Sequence, residues 1–325
     1  MKAVVCKRYG PPEDLVVETL ADPIPGPRQL RVRIHAAGVN YPDALLVQGL
    51  HQYRPEPPFL FGGELAGVVD AVGSKVSEFA VGQRVYASRL RGAFAETMVV
   101  DVDKVQQIPE SLSFEEAACL STAYNTAYYA LVTLGRLKAG ETVLILGASG
   151  GVGLAAVEVA KALGARVLAA ASSTEKLAVC ERAGADVLID YKADDLRQRL
   201  REEALKGVNV VYDPIGGTYT EAALRGLAWR GRYLVVGFAS GEIPKIPLNL
   251  VLLKGAEIVG VFLGETWTRE PETAREIDSG MAKLIGEGRI HPYISARYPM
   301  ERIADALTAL LERRVSGKIV ILPRL

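Results

Sequence analysis

Hydrophobic positions along this chain follow two different rhythms. Through the first 120 residues, short apolar runs (LRVRIHAAGVN, ELAGVVDAVG, GQRVYASRL, AFAETMVV) are broken by Gly and Pro, the pattern of an all-β unit. A polar turn follows, in which Ser111-Leu112-Ser113-Phe114-Glu115-Glu116 reads as a capped helix start that AACLSTAYNTAYYALV continues. From Val143 onward strand and helix alternate, with strands predicted at VLILG (143–147), RVLAAA (166–171), VLID (187–190), NVVYD (209–213), RYLVVG (232–237) and EIVGVF (257–262). Six strands with crossover helices imply an α/β fold with a doubly wound parallel sheet, its ligand at the carboxyl ends of the strands. Beyond roughly residue 265 the pattern turns helical and closes on a short strand, KIVIL, expected to rejoin the N-terminal unit. There is no internal repeat or low-complexity tract.

The most specific chemistry lies between Val143 and Lys176. An apolar strand runs into Gly147, Ala148, Ser149, Gly150, Gly151, Val152 and Gly153, and a helix begins among them. The unpaired N–H groups of such a helix start carry the positive end of the helix dipole, so a pyrophosphate can approach where no side chain blocks it. Gly150 and Gly153 take the second and third glycine positions of a GxGxxG pattern, with Ala148 at the first. The end of the second strand selects the cofactor. Where NAD-binding units carry an Asp or Glu for the ribose 2′-hydroxyl, this chain has Ala170, Ala171, Ser172 and Ser173. No carboxylate repels a 2′-phosphate there, and Ser172 and Lys176 can donate to one, which favours NADPH over NADH. Glu175 beside Lys176 works against that choice.

Composition narrows the classes of function. The 325 residues are 49% hydrophobic and 23% charged, ordinary for a chain long enough to bury two cores. Thirty-eight basic residues balance 38 acidic ones, so no bulk field draws the chain to nucleic acid or anionic lipid. The uncharged run Thr142 to Val157 is glycine-rich and too short to span a bilayer, and Met1 leads straight into a strand-like segment. A cytoplasmic protein is expected. Cys6, Cys119 and Cys180 form no CxxC pair and read as reduced packing residues.

Several segments together resemble the medium-chain dehydrogenase/reductase superfamily, and within it the zinc-free NADPH:quinone oxidoreductases. They are AAGVNYPDALLVQG (36–49), PFLFGGELAGVVDAVG (58–73), GAFAETMVV (92–100), the Ala-x-Gly-x-x-Gly turn at 148–153, and GKIVIL. The similarity spans essentially the whole chain. It implies a GroES-like β domain over 1–122 plus 265–325, a Rossmann domain over 123–264, an active site in the cleft between them, and a homodimer, for which the edge strand EIVGVF is a ready seam. Zinc-dependent relatives use Cys and His at positions that align here with Asn40 and Gly63, and a four-cysteine lobe that this chain lacks. The three histidines, His35, His51 and His291, form no ligand-spaced pair with a cysteine, so no metal site is expected. Glu64 reads as a hydrogen-bonding group.

Without zinc, reduction rests on cofactor placement and hydrogen bonds. A quinone or conjugated enone is electrophilic enough to take hydride when positioned donors stabilise the developing oxygen charge. Asn40, with two amide N–H groups, is the expected donor, its alternative role being to fix the turn before Pro42. Asp43 reads as a turn or cap residue. The family commonly has an aromatic residue where Leu45 stands and a tyrosine where His51 stands; His51 or Tyr53 is expected to replace that tyrosine as proton donor, the alternative for His51 being an exposed loop residue. The resemblance further implies Thr126 beside the nicotinamide and Tyr191 near the adenosine phosphate. It implies Gly237, Phe238, Ser240, Phe262 and Leu263 at strand ends facing the cofactor, and Lys318 either reaching the cofactor or flanking the last strand. The expected activity is reduction of quinones or related conjugated carbonyls. Reduction of the C=C bond of enals, enones or enoyl thioesters, and NADPH binding with little turnover, are the alternatives.

Overall fold

The computed structural model describes residues 1–88 and 91–325; Arg89 and Leu90, which end the predicted run GQRVYASRL, lie outside the described residues. The chain divides into two compact units, one of Met1–Thr122 with Pro292–Leu325, the other Ala123–His291. The return to the first unit was expected at 265 and falls at Pro292. The helix Pro271–Gly286 accounts for the difference, because it buries Ala274, Ile277, Met281, Leu284 and Ile285 at helical spacing. Its Gly280 also lies so close to Tyr128 of the second unit that a Cβ there would meet the phenol oxygen at 2.1 Å. A segment that continues a helical face stays with the core that face covers.

The first unit contains β1 (Lys2–Cys6), β2 (Val16–Thr19), β3 (Gln29–Val39), β4 (Phe59–Leu60), β5 (Glu64–Val72), β6 (Arg84–Ser88), β7 (Thr97–Asp101) and β8 (Val105–Gln107). The second holds β9 (Thr142–Leu146), β10 (Arg166–Ala171), β11 (Val187–Asp190), β12 (Val208–Asp213), β13 (Leu227–Val235) and β14 (Glu257–Gly260); β15 (Ile294–Pro299) and β16 (Lys318–Leu322) return to the first. The KIVIL strand rejoins the N-terminal unit as expected, antiparallel to β3. Ser113 starts a helix with the reciprocal bonds of a capping box, its N–H donating to Glu116 Oε2 at 2.8 Å and its Oγ accepting from Glu116 N at 3.2 Å.

Strand order in the second unit is β11-β10-β9-β12-β13-β14, with every pairing parallel. This is the doubly wound order, and the topological switch between β9 and β12 leaves a crevice at their carboxyl ends. The sheet is apolar on both faces, with Leu144, Leu146 and Leu168 fully buried on one and Val143, Ile145 and Val167 on the other.

In the first unit β3 is the central strand. It pairs antiparallel with β5 along one edge, and its other edge is shared by β7 and β16. The register places Gly38 opposite Glu64 on β5 and Val39 opposite Ile319 on β16. One further step sets Lys318 opposite Asn40, so three residues far apart in sequence meet across adjacent strands.

Candidate functional site

The nucleotide turn of the second unit is made of backbone. β9 ends at Leu146, Gly147 turns with φ of 57°, and the helix Gly151–Ala162 starts at the N-cap Gly150, which offers no side-chain cap. The first N–H groups of a 12-residue helix therefore face outward past residues with almost no side chain. Two glycines here do different work. A Cβ on Gly150 would meet only Gly147 O, at 3.4 Å, whereas a Cβ on Gly153 would stand 2.3 Å from Gly147 O and 2.8 Å from Ala148 Cα. Gly150 keeps an approach open; Gly153 lets the helix pack on the turn. Ala148 and Ser149 are buried, and Gly150, Gly151 and Val152 are half-buried. This cradle fits a dinucleotide pyrophosphate.

At the end of β10, Lys176 Nζ lies 3.3 Å from Ser172 Oγ, and Ser173 caps the next helix by accepting from Lys176 N at 3.4 Å. The Glu175 carboxyl hydrogen-bonds Ser173, which holds it below the usual carboxylate range. Two donors, Ser172 and Lys176, thus stand together just past the carboxyl end of β10. Tyr191 follows β11 and packs against Tyr219 with ring centroids 4.3 Å apart. Beyond β13, Gly237 N bonds Asp213 O, Ala239 N bonds Pro214 O and Ser240 N bonds Ile215 O, tying the carboxyl ends of β12 and β13 together. Phe238 and Phe262 are exposed, Leu263 is half-buried, and Thr126 sits half-buried in the helix Leu120–Tyr128.

The first unit holds a cluster of another kind. Lys318 Nζ donates to Glu64 Oε1 at 2.8 Å, to Asn40 Oδ1 at 2.5 Å and to Val39 O at 3.3 Å, so its three N–H groups are all engaged. Asn40 Nδ2 donates to the same Glu64 oxygen at 2.9 Å, and Thr122 N donates to the other at 2.8 Å. Both partners of the ion pair are buried, with side chains 5% and 1% exposed. Gly38 makes this possible. A Cβ there would stand 2.4 Å from Glu64 Oε1 and 2.3 Å from Ala118 O, so only a bare backbone lets the Glu64 carboxylate cross β3 to reach Lys318. Burial is the largest single influence and disfavours the ammonium, but the charge and hydrogen bond of Glu64, together with the neighbouring Cys119 and Asp43, outweigh it, and Lys318 is held above the usual lysine range. Asp43 accepts from Asn40 N at 2.8 Å, completing a capping box, and burial pushes its carboxyl up to about 7. Burial likewise pushes the nearby Cys119 thiol up to about 12, leaving it neutral.

His51 and Tyr53 lie together in the segment after the helix Tyr41–Val47. Tyr53 N donates to His51 Nδ1 at 3.1 Å, so a neutral His51 carries its proton on Nε2. Arg91 Nη1 donates to Tyr53 Oη at 2.7 Å, and its guanidinium carbon lies 3.8 Å from the ring centroid. The Tyr53 oxygen thus acts as acceptor toward Arg91 and keeps its own proton to donate.

Two groups escaped the sequence reading. The pairing of Lys318 with Glu64 and Asn40 was not anticipated, although one charged residue opening the apolar run KIVIL, and Gly38 within AAGVN, were the available signals. Glu158 is buried in the helix after the glycine turn, where it accepts from Tyr124 Oη at 3.1 Å and His291 N at 2.9 Å, and burial pushes it up to about 7. Among the described residues no three His, Cys, Asp or Glu side chains come together as a metal site, and no helix is long and apolar enough to cross a membrane.

A β unit of this topology in one chain with a doubly wound nucleotide unit defines a class of dehydrogenases and reductases, and comparison with known proteins agrees. Residues 26–110 match the alcohol dehydrogenase GroES-like domain, and residues 151–279 match the zinc-binding dehydrogenase family. A quinone oxidoreductase-like protein 2 homolog of Nematostella vectensis is 38% identical over 98% of this chain and 88% of its own length. A quinone oxidoreductase of Pseudomonas aeruginosa is 36% identical over 99% of both chains. The crystal structure of Escherichia coli quinone oxidoreductase complexed with NADPH superposes with a TM-score of 0.90 at 30% identity, covering 99% of this chain and 100% of that one. The chain belongs to the quinone oxidoreductase family of the medium-chain dehydrogenase/reductase superfamily. It is an NADPH-dependent oxidoreductase.

Proposed function

We propose that this enzyme reduces quinones or related conjugated carbonyls with NADPH and without a zinc ion. The observation that carries the reading is the Asn40 amide, bound through Oδ1 to Lys318 and through one N–H to Glu64, with its second N–H making no hydrogen bond among the described residues. NADPH supplies a hydride, and the protein's part is to hold the acceptor and meet the charge that develops on its oxygen. Asn40 Nδ2 donates to that oxygen. A preoriented donor of this kind is worth about 3 kcal/mol in a site closed to water. His51 Nε2 or the Tyr53 hydroxyl then delivers the proton. The backbone cradle at Ala148, Ser149, Gly150, Gly151, Val152 and Gly153 binds the pyrophosphate, and Ser172 and Lys176 bind the 2′-phosphate. Tyr191 lies along the adenosine side, while Thr126, Gly237, Phe238, Ser240, Phe262 and Leu263 border the nicotinamide.

Zinc independence is supported by what stands beside Glu64. An ammonium 2.8 Å from its carboxylate already supplies the positive charge there and would repel a divalent ion. The homodimer and a cytoplasmic location belong to the same reading. β14 is the edge of its sheet, and Trp229, Leu252, Leu253, Ile258 and Phe262 are exposed apolar residues of that unit. The three cysteines are free and buried, as in a reducing compartment.

Comparing kcat/KM for 9,10-phenanthrenequinone, 1,4-benzoquinone and trans-2-enoyl substrates with NADPH tests the function. Quinone turnover well above the enzyme-free rate is expected. Enoyl turnover with quinone rates at background would assign the enzyme to C=C reduction instead, and tight NADPH binding with no turnover of any acceptor would make it a binding protein.

A further inference from the structure

We propose that Lys318 is a positioning residue whose buried ammonium, with Glu64, fixes which way the Asn40 amide faces. The proposal rests on the reading of Asn40 as the oxygen donor. An Asn amide is nearly symmetric in shape, so only its partners decide which end carries the oxygen and which the N–H groups. Around Asn40 those partners are charged and of opposite sign. Lys318 Nζ lies 2.5 Å from Oδ1, and Glu64 Oε1 lies 2.9 Å from Nδ2. Turning the amide over would set an NH2 group against an ammonium and a carbonyl oxygen against a carboxylate. Both contacts would become repulsive at once, against an ion pair whose own side chains are buried.

With the amide held this way, the remaining Nδ2 N–H has one direction left to it, away from Glu64. Its donor character is also raised, because Oδ1 bonds to a cation and draws electron density from the amide nitrogen. Lys318 does this without touching the acceptor. Its three N–H groups end on Glu64, Asn40 and Val39, leaving none for a cofactor phosphate. The side chain expected near the cofactor therefore acts through Asn40. The arrangement is built into the sheet, since Gly38 alone on β3 lacks the atoms that would separate Glu64 from Lys318.

Wild-type turnover of 9,10-phenanthrenequinone and the loss of turnover in Asn40→Ala test the underlying reading, and Lys318 variants test this inference alone. Lys318→Met should lower kcat by about tenfold or more while the NADPH Kd, read by fluorescence titration, changes less than about twofold. In the Asn40→Ala background the same change should cost no more than about twofold, because the amide it orients is gone. Where Lys318→Met alone leaves Glu64 an unpaired buried charge and the chain fails to fold, Lys318→Met with Glu64→Gln removes both charges and should show the same pattern. An undiminished kcat in a folded Lys318 variant, losses that multiply with those of Asn40→Ala, or an NADPH Kd raised about tenfold would each overturn the proposal. Undiminished kcat in Asn40→Ala would refute the donor reading instead, whatever the Lys318 variants do.

Discussion

The glycine turn of the second unit and the Lys318 cluster of the first both hold polar groups in fixed directions, and they do it with opposite materials. The turn uses backbone N–H groups of one continuous segment, left bare because its residues are small. The cluster uses side chains of three segments that β-sheet register brings together, and its ion pair is closed within the unit. A backbone site tolerates changes in charge nearby but no added volume. A side-chain site built on a buried ion pair tolerates little change in charge, since removing one partner strands the other.

Volume is the way to break the first region. Gly153→Val would force a Cβ to within 2.3 Å of Gly147 O, where the backbone cannot yield, and the branched side chain adds more. The expected result is a variant that does not bind NADPH measurably and has lost about 4 kcal/mol or more of stability, read by titration and urea unfolding. Charge is the way to break the second. Glu64→Ala leaves the Lys318 ammonium buried without its carboxylate and should cost about 3–5 kcal/mol, while Glu64→Gln, which keeps an acceptor for Thr122 N, should cost less.

Each unit also contains a buried carboxyl raised to about 7, Asp43 in the first and Glu158 in the second. A raised carboxyl binds its proton more tightly in the folded chain than in the unfolded one. Its stabilising effect is complete at low pH and is lost as pH rises from the ordinary carboxylate range to about 7. Glu158→Gln keeps an oxygen for Tyr124 Oη and His291 N and removes the ionisation. It should stabilise the enzyme by about 1–3 kcal/mol at pH 8 and leave it unchanged at pH 4, measured as unfolding free energy at both values. An equal shift at both pH values would mean that packing, not proton binding, dominates. The smallest effect is expected at Lys176. Lys176→Ala should weaken NADPH binding by about tenfold and NADH binding by less than about twofold, and equal losses would remove Lys176 from the phosphate site.

Much of the fold was legible because its signals are local. The six strands from Val143 to Phe262 were read from runs of branched residues between helical segments, and the observed strands fall within those runs or extend them by a few residues. The capping box at Ser113 and Glu116 lies within four residues and was read directly. The end of the second unit was misplaced at 265 for a physical reason. The boundary depends on which core the helix Pro271–Gly286 covers, and periodicity shows that the helix has an apolar face without showing what it faces.

By itself the sequence determined the doubly wound sheet, the dinucleotide cradle and the absence of a carboxylate at the end of β10, because each follows from residues a few positions apart. The tertiary structure decided what Lys318 does. Asn40, Glu64 and Lys318 are separated by 24 and 254 residues, and only the pairing of β3 with β5 and β16, across a glycine that leaves the way clear, turns a lone lysine at the start of an apolar strand into the partner of an amide.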